Sequence, residues 1–268
     1  MPVDVALTGR TVLVVFAHPD DESLACGGTL ARLAVAGARI VLLCASRGEA
    51  GSISDPLLVP DGNLGLVRTR ELHDAAATLG ITDVIVMDHP DGDLRWDEVP
   101  ELHAEIVAAI NTYRPDAVIT FAEDGLYWHP DHIGVHERTF TAVKSLGAAA
   151  PALYYVTMPQ GAMRHVVDAA HARSGSPADS SLWGLAPDAF GAAAGLPSFA
   201  VDVRAWIPRK LAALRCHRTQ IGPHHPIAWI NDEEARQWLG VEHFRRAPLE
   251  SFNGAMLEQF GEPVPHAS

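Results

Sequence analysis

One feature near the start constrains this chain most. Thr11-Val-Leu-Val-Val-Phe-Ala17 is an unbroken run of β-branched and apolar residues that leads straight into His18-Pro19-Asp20-Asp21-Glu22. Seven such residues without polar alternation read as a strand buried on both faces, as in a parallel sheet covered by helices. A membrane span takes about twenty residues, and neither a basic segment nor a small-residue cleavage site flanks this run. The polar residues after it fall at the carboxyl end of a strand, where open α/β sheets bind ligands.

The pattern recurs along the first half. Ser23 to Ala36 has helical length and stops at Gly37, a left-handed cap. Arg39 to Ala45 is a second buried strand. Leu66 to Leu79 is a helix with Leu72, Ala75, Ala76 and Leu79 on one face, and Val84 to Met87 is a third strand. Val99 to Tyr113 carries the helical row Leu102, Ile106, Ile110; Ala117 to Phe121 is a fourth strand, and His132 to Leu146 a helix. Alternating strands and helices imply right-handed crossovers and a parallel sheet.

The second half is less regular. Residues 157–198, rich in Ala, Gly, Ser and Pro, offer themselves as a substrate lid or as an assembly surface for a homo-oligomer. A strand over Ala200–Val203, a helix over Ile207–Arg218 and a short helix over Asp232–Leu239 follow. No linker or repeat divides the chain, so residues 1–268 read as one α/β domain. Its expected form is a three-layer α/β/α sandwich around a Rossmann-like, mainly parallel sheet.

Lys+Arg 20 against Asp+Glu 33 gives a net charge of −13. A chain this acidic repels polyanions, which argues against a nucleic-acid partner. Cys26, Cys44 and Cys216 are odd in number and far apart, so neither a disulfide framework nor a zinc ribbon is on offer. A cytoplasmic protein with no membrane partner is expected.

The chemistry lies in two clusters. A dinucleotide-binding fold would place a Gly-rich loop after its first strand; here stand three consecutive acids, which repel phosphate and attract a cation. Helix capping would need only one of them and leaves His18 unexplained. The second cluster, Glu123-Asp-Gly-Leu-Tyr-Trp-His-Pro-Asp-His132, follows the fourth strand. Together the clusters offer imidazoles and carboxylates without cysteine, the donor set of a catalytic zinc rather than a structural one.

These motifs resemble the paired signatures A-H-P-D-D-E and H-P-D-H of the LmbE/PIG-L family of N-acetylglucosaminyl deacetylases. Further stretches are similar in the same order: Gly48-Glu49-Ala50-Gly51, Arg68…Glu71…Leu79-Gly80, Asp91-Gly92, and Lys210…Leu214…His217…Thr219-Gln220. The resemblance implies one Zn2+ per chain on His18, Asp21 and His132, with Asp20 as general base. It implies that Tyr127 and His129 stabilise the oxyanion and that Asp131 orients a histidine, His129 being the nearest candidate. It places Arg68, Glu49 and Asp91 against the sugar. The implied activity is hydrolysis of an N-acyl, expected N-acetyl, group on a small amino-sugar compound. The alternative is an inactive glycan-binding protein of the same fold, which the presence of Asp20 and His129 disfavours.

Other residues admit plainer readings. Arg68 can also be a helix-surface arginine paired with Glu71 or Glu22. His89 reads as a loop residue, His224 and His225 as a rim loop, and His103 and His136 as surface or packing residues. Arg47, where the family carries a smaller residue, is placed to meet an anionic substrate.

Overall fold

A computed structural model describes residues 6–95, 100–174, 181–191, 197–249 and 255–264. Eight strands form one sheet in the order β3-β2-β1-β4-β5-β7-β6-β8. They are β1 (Thr11–Phe16), β2 (Arg39–Ser46), β3 (Asp83–His89), β4 (Ala117–Phe121), β5 (Ala152–Thr157), β6 (Phe199–Asp202), β7 (Val241–Arg246) and β8 (Gly261–Pro263). The first five pair in parallel, with Phe16 opposite Cys44 and Val14 opposite Ile119; β7, β6 and β8 extend the sheet antiparallel. Every residue of β1 after Thr11 is fully buried, as the unbroken apolar run requires.

The helices are α1 (Asp21–Val35), α2 (Leu64–Leu79), α3 (Pro100–Tyr113), α4 (Gly125–Trp128), α5 (Pro130–Ser145), α6 (Ala162–Ser174), α7 (Ile207–Leu214), α8 (Pro226–Trp229) and α9 (Asp232–Trp238). α1, α2 and α7 pack together, as do α3 and α5, and the two groups flank the sheet. Val99, expected to open α3, lies outside the described residues. No helix among the described residues is long and apolar enough to cross a membrane.

Two local departures matter for the site. α1 breaks at Cys26 (φ −148°, ψ 24°), and the freed Gly28 and Thr29 N–H groups donate to the Glu242 carboxylate of β7 at 2.9 and 2.7 Å. Lys210 of α7 neutralises that buried carboxylate at 2.6 Å and donates to the Leu24 carbonyl at 2.9 Å. A side chain on Gly28 would stand 2.6 Å from Val203 Cβ, so the close approach requires glycine. Secondly, α7 ends at Leu214, short of the expected Arg218. Beyond it the side chains of His217, Thr219 and Gln220 reach Glu22, Glu71 and the Ser52 carbonyl, and those bonds hold this stretch in turns.

Candidate active site

The strand order reverses between β1 and β4, so their carboxyl ends flank an open crevice, the usual ligand position in such sheets. β1 delivers His18, Asp20 and Asp21, and the segment after β4 delivers Tyr127, His129, Asp131 and His132. His18, Asp20, Asp21, Tyr127 and His129 border a cavity of about 450 Å³ that also touches Arg68, Asp91, Trp183 and Gln220, and the fully buried Asp131 and His132 lie behind them.

Three donors converge on one point. His18 Nδ1 lies 3.2 Å from His132 Nε2 and 3.6 Å from Asp21 Oδ2, and Asp21 Oδ1 lies 3.3 Å from His132 Nε2. Around a tetrahedral zinc with bonds of about 2.0–2.1 Å, ligand atoms stand about 3.3–3.4 Å apart. The far nitrogen of each ring is engaged: His18 Nε2 lies 3.0 Å from both Asp131 Oδ2 and Asp91 Oδ1, and His132 Nδ1 donates to the Gly125 carbonyl at 3.0 Å. These partners fix the tautomers, so the lone pairs of His18 Nδ1 and His132 Nε2 face each other beside a carboxylate. Three acceptors with no donor between them fit a cation.

Two other groupings bring donor atoms within 4.8 Å of one another, His18 with His129 and His132, and His18 with Asp91 and Asp131. Both have prior engagements. Asp131 accepts the Gly92 and Leu94 N–H groups at 2.7 and 3.0 Å while holding His18, and His129 Nδ1 accepts the Asp131 N–H at 3.2 Å. Asp21 is less heavily engaged, with Oδ2 accepting the His18 N–H at 2.8 Å.

That geometry corrects the expected partner of Asp131: its carboxylate orients His18, not His129. α5 starts at Pro130, so Asp131 sits in the first turn with its side chain turned toward β1, whereas His129 is the cap before it. With Nδ1 occupied as an acceptor, neutral His129 carries its proton on Nε2. Burial is the main cause that pushes its pKa down to about 4, so the ring is neutral near pH 7. Tyr127 stands between two left-handed residues, Leu126 (φ 67°) and Trp128 (φ 65°), and burial pushes its phenol well above the ordinary range. It is a neutral O–H donor at the cavity wall.

Asp20 adopts φ 116°, left-handed for a non-glycine residue, and its side chain makes no capping bond to α1. Its N–H donates to Glu22 Oε2 at 3.0 Å, and its Oδ2 lies 3.2 Å from Arg68 Nη2. Burial raises the Asp20 pKa, with Arg68 and His217 opposing. A buried carboxylate held near one cation is a better proton acceptor than a solvated one.

Arg68 is only 4% exposed, which excludes the surface-arginine reading. It donates to the Pro19 and Gly48 carbonyls at 2.6 and 2.8 Å, clamping the two loops together. Gly48 (φ 65°) must be glycine, because a Cβ there would stand 2.3 Å from the guanidinium. The three residues expected at the sugar thus separate. Arg68 borders the cavity. Asp91 does too, but with one oxygen on His18 and the other accepting the Ala50 N–H at 2.9 Å. Glu49 accepts the Asp91 N–H at 2.9 Å and does not border the cavity. Arg47 pairs with Asp88 at 2.7 Å and is likewise outside it. His89 closes β3 against Glu105 at 2.6 Å. His136 is buried, its Nδ1 2.9 Å from the Phe121 carbonyl, and His103 lies at the surface beside Thr141.

Sequence reasoning gave no role to Glu22, the third acid of the first cluster. It is fully buried behind Asp20 and bound by His217 and Ser23. The signal was present as the His217…Thr219-Gln220 match, without any indication of its partner.

Fold and site define an α/β protein with a cluster of His and Asp side chains at the switch point of its sheet. Residues 13–143 match the family model "PIG-L: GlcNAc-PI de-N-acetylase". A 1D-myo-inositol 2-acetamido-2-deoxy-alpha-D-glucopyranoside deacetylase from Thermobispora bispora is 34% identical, over 89% of this chain and 88% of that one. The crystal structure of the conserved protein TT1542 from Thermus thermophilus superposes with a TM-score of 0.57 at 28% identity, covering 89% of this chain and 94% of that one. The fold is shared too with GalB, the 4-carboxy-2-hydroxymuconate hydratase from Pseudomonas putida, at TM-score 0.61 and 18% identity over 89% and 96% of the two chains. The chain belongs to the PIG-L family of de-N-acetylases.

Proposed function

We propose that this protein hydrolyses the N-acyl group, in the simplest case N-acetyl, of a small amino-sugar compound, using one zinc ion held by His18, Asp21 and His132. A hydratase shares the fold, so fold alone does not decide the reaction. The observation that carries the reading is the donor triangle with the Asp20 carboxylate beside it, in one cavity with the N–H of His129 and the O–H of Tyr127. Relatives 34% identical that are named as deacetylases of an N-acetylglucosaminyl-inositol support it.

Bound zinc supplies a Lewis acid that polarises the acyl carbonyl and lowers the pKa of water toward about 7. Asp20 accepts the proton of the attacking water and passes it to the departing amine, which needs it to leave. His129 Nε2–H and Tyr127 O–H donate to the oxygen that becomes negative, the kind of contact worth about 10²–10³ in rate. Asp131 and Asp91 hold His18 in the tautomer that faces the metal. Arg68 keeps the Asp20 loop against the Gly48 loop and presents positive charge beside the base. With Asp20 and His129 both in place, nothing in the site favours an inactive glycan binder. The described cysteines are free thiols, which supports a cytoplasmic setting.

The test is release of primary amine from the α-glycoside of N-acetylglucosamine with myo-inositol. We expect turnover that a chelator abolishes and stoichiometric zinc restores. Zinc-replete protein that frees no amine from this or other N-acylglucosaminides contradicts the reading.

A further inference from the structure

Thr157 ends β5, and His243 lies opposite it on β7. The carboxyl end of a parallel strand is where sheets of this kind bind ligands. Both residues border a separate cavity of about 160 Å³, walled on its apolar side by Leu24, Met158, Pro159, Trp238 and Leu239. Among the described residues, Leu24 alone borders this cavity and the catalytic one.

Three polar groups on this cavity have bonding capacity left over. Thr157 is only 7% exposed, yet its buried Oγ1 has no hydrogen-bond partner among the described residues. The buried Nδ1 of His243 has none there either. Burial holds the His243 pKa below its ordinary value, so the ring is neutral near pH 7. Lys210 carries three N–H donors and uses two, on the Leu24 carbonyl and on Glu242. Unmet buried polar atoms are costly and rare, and their grouping on one cavity points to an occupant. Among the described residues on its wall, Lys210 and Glu242 are the only charged ones, and they cancel. A carboxylate placed there would meet Glu242 with no spare cation, and an ammonium would meet Lys210. A water takes about 30 Å³, so the cavity has room for about five waters or one small molecule.

We propose that this cavity is a second ligand site, for a small uncharged molecule with a carboxamide or alcohol head and a short apolar tail. The oxygen of the head accepts from Lys210 and Thr157, its N–H or O–H donates to His243 Nδ1, and the tail lies against Met158 and Trp238. The site is distinct from the catalytic one, and its assignment does not depend on the deacetylase reading.

The probes are propionamide, propanol and propionate, which share a carbon skeleton and differ in head group and charge. Each is titrated into zinc-loaded protein carrying isotope-labelled histidine, and the His243 imidazole resonances, assigned with His243→Gln, are followed by NMR. Propionamide, propanol or both should shift them saturably and bind about 10-fold tighter or more than propionate, whose charge nothing there offsets. Thr157→Val keeps the side-chain shape and removes the hydroxyl, and should weaken the tighter neutral probe about 5-fold, the worth of one hydrogen bond. Should Thr157→Val not fold, His243→Phe takes its place, with affinity read from the ligand signals: a similar loss supports the site, and unchanged affinity overturns it. Shifts that stay linear with both neutral probes mean that water alone fills the cavity, and overturn the proposal. So do binding that leaves the His243 resonances unmoved, propionate binding as tight as that of the neutral probes, and wild-type affinity in Thr157→Val. None of these outcomes bears on amine release, which tests the catalytic cavity separately.

Discussion

His217 Nε2 donates to Glu22 Oε1 across 2.8 Å, with both side chains completely buried, and the other Glu22 oxygen accepts the N–H of Asp20. An ion pair 195 residues apart in sequence thus braces the left-handed backbone of the candidate base. Burial alone would push His217 down; the charge and hydrogen bond of Glu22 prevail and raise it.

Removing one partner of a buried pair strands the other. His217→Leu should cost about 3–5 kcal/mol, read as a lowered denaturant midpoint. Because the folded pKa of His217 is raised above its unfolded value of about 6.5, its contribution is complete below that pH and is lost as pH rises through the folded value. The gap between wild type and variant should therefore narrow on the alkaline side. A gap that widens there contradicts the pairing.

Asp131 touches His18, not the metal position. Asp131→Asn should weaken zinc affinity about 10–100-fold, and added zinc should restore much of the activity. Titration against a competing chelator measures this. Unchanged affinity would mean that Asp131 serves only the Gly92 and Leu94 amides.

His129 is neutral near pH 7 and presents Nε2–H. His129→Ala should lower kcat by about 10²–10³ by a similar factor at every pH from about 6 to 9, with zinc content intact. A variant that instead loses only the basic limb of the pH–rate profile would show His129 acting as a protonated acid.

The sheet's first half was legible because β1, β2 and β4 are buried on both faces and need no alternation. β7 was not, since its Glu242 faces inward to cap the broken α1 and Lys210 neutralises it; a charged residue in a core position erases the pattern. α7 was overextended because the bonds that end it come from α1 and α2, far off in sequence. In the site, the two His- and Asp-bearing clusters were legible because they follow recognisable strands, and the resemblance singled out His18, Asp21 and His132 within them. The partner of Asp131 and the loss of Glu49 to a loop contact depend on side-chain directions set by helix starts and left-handed turns, which spacing does not encode. Trp183 lay in a stretch without periodicity, and its left-handed turn at the cavity wall is visible only in three dimensions.

If Asp20 moves the proton while His18, Asp21 and His132 hold the metal, the two functions should separate on mutation. The direct measurement is kcat/KM against pH for wild type and Asp20→Asn, with zinc quantified in each. Asn keeps the size and shape of the side chain and cannot accept a proton near neutrality. Full zinc is expected in both proteins, with kcat lower by about 10² or more in the variant and the acidic limb lost. Near wild-type turnover by zinc-replete Asp20→Asn would contradict this division of roles.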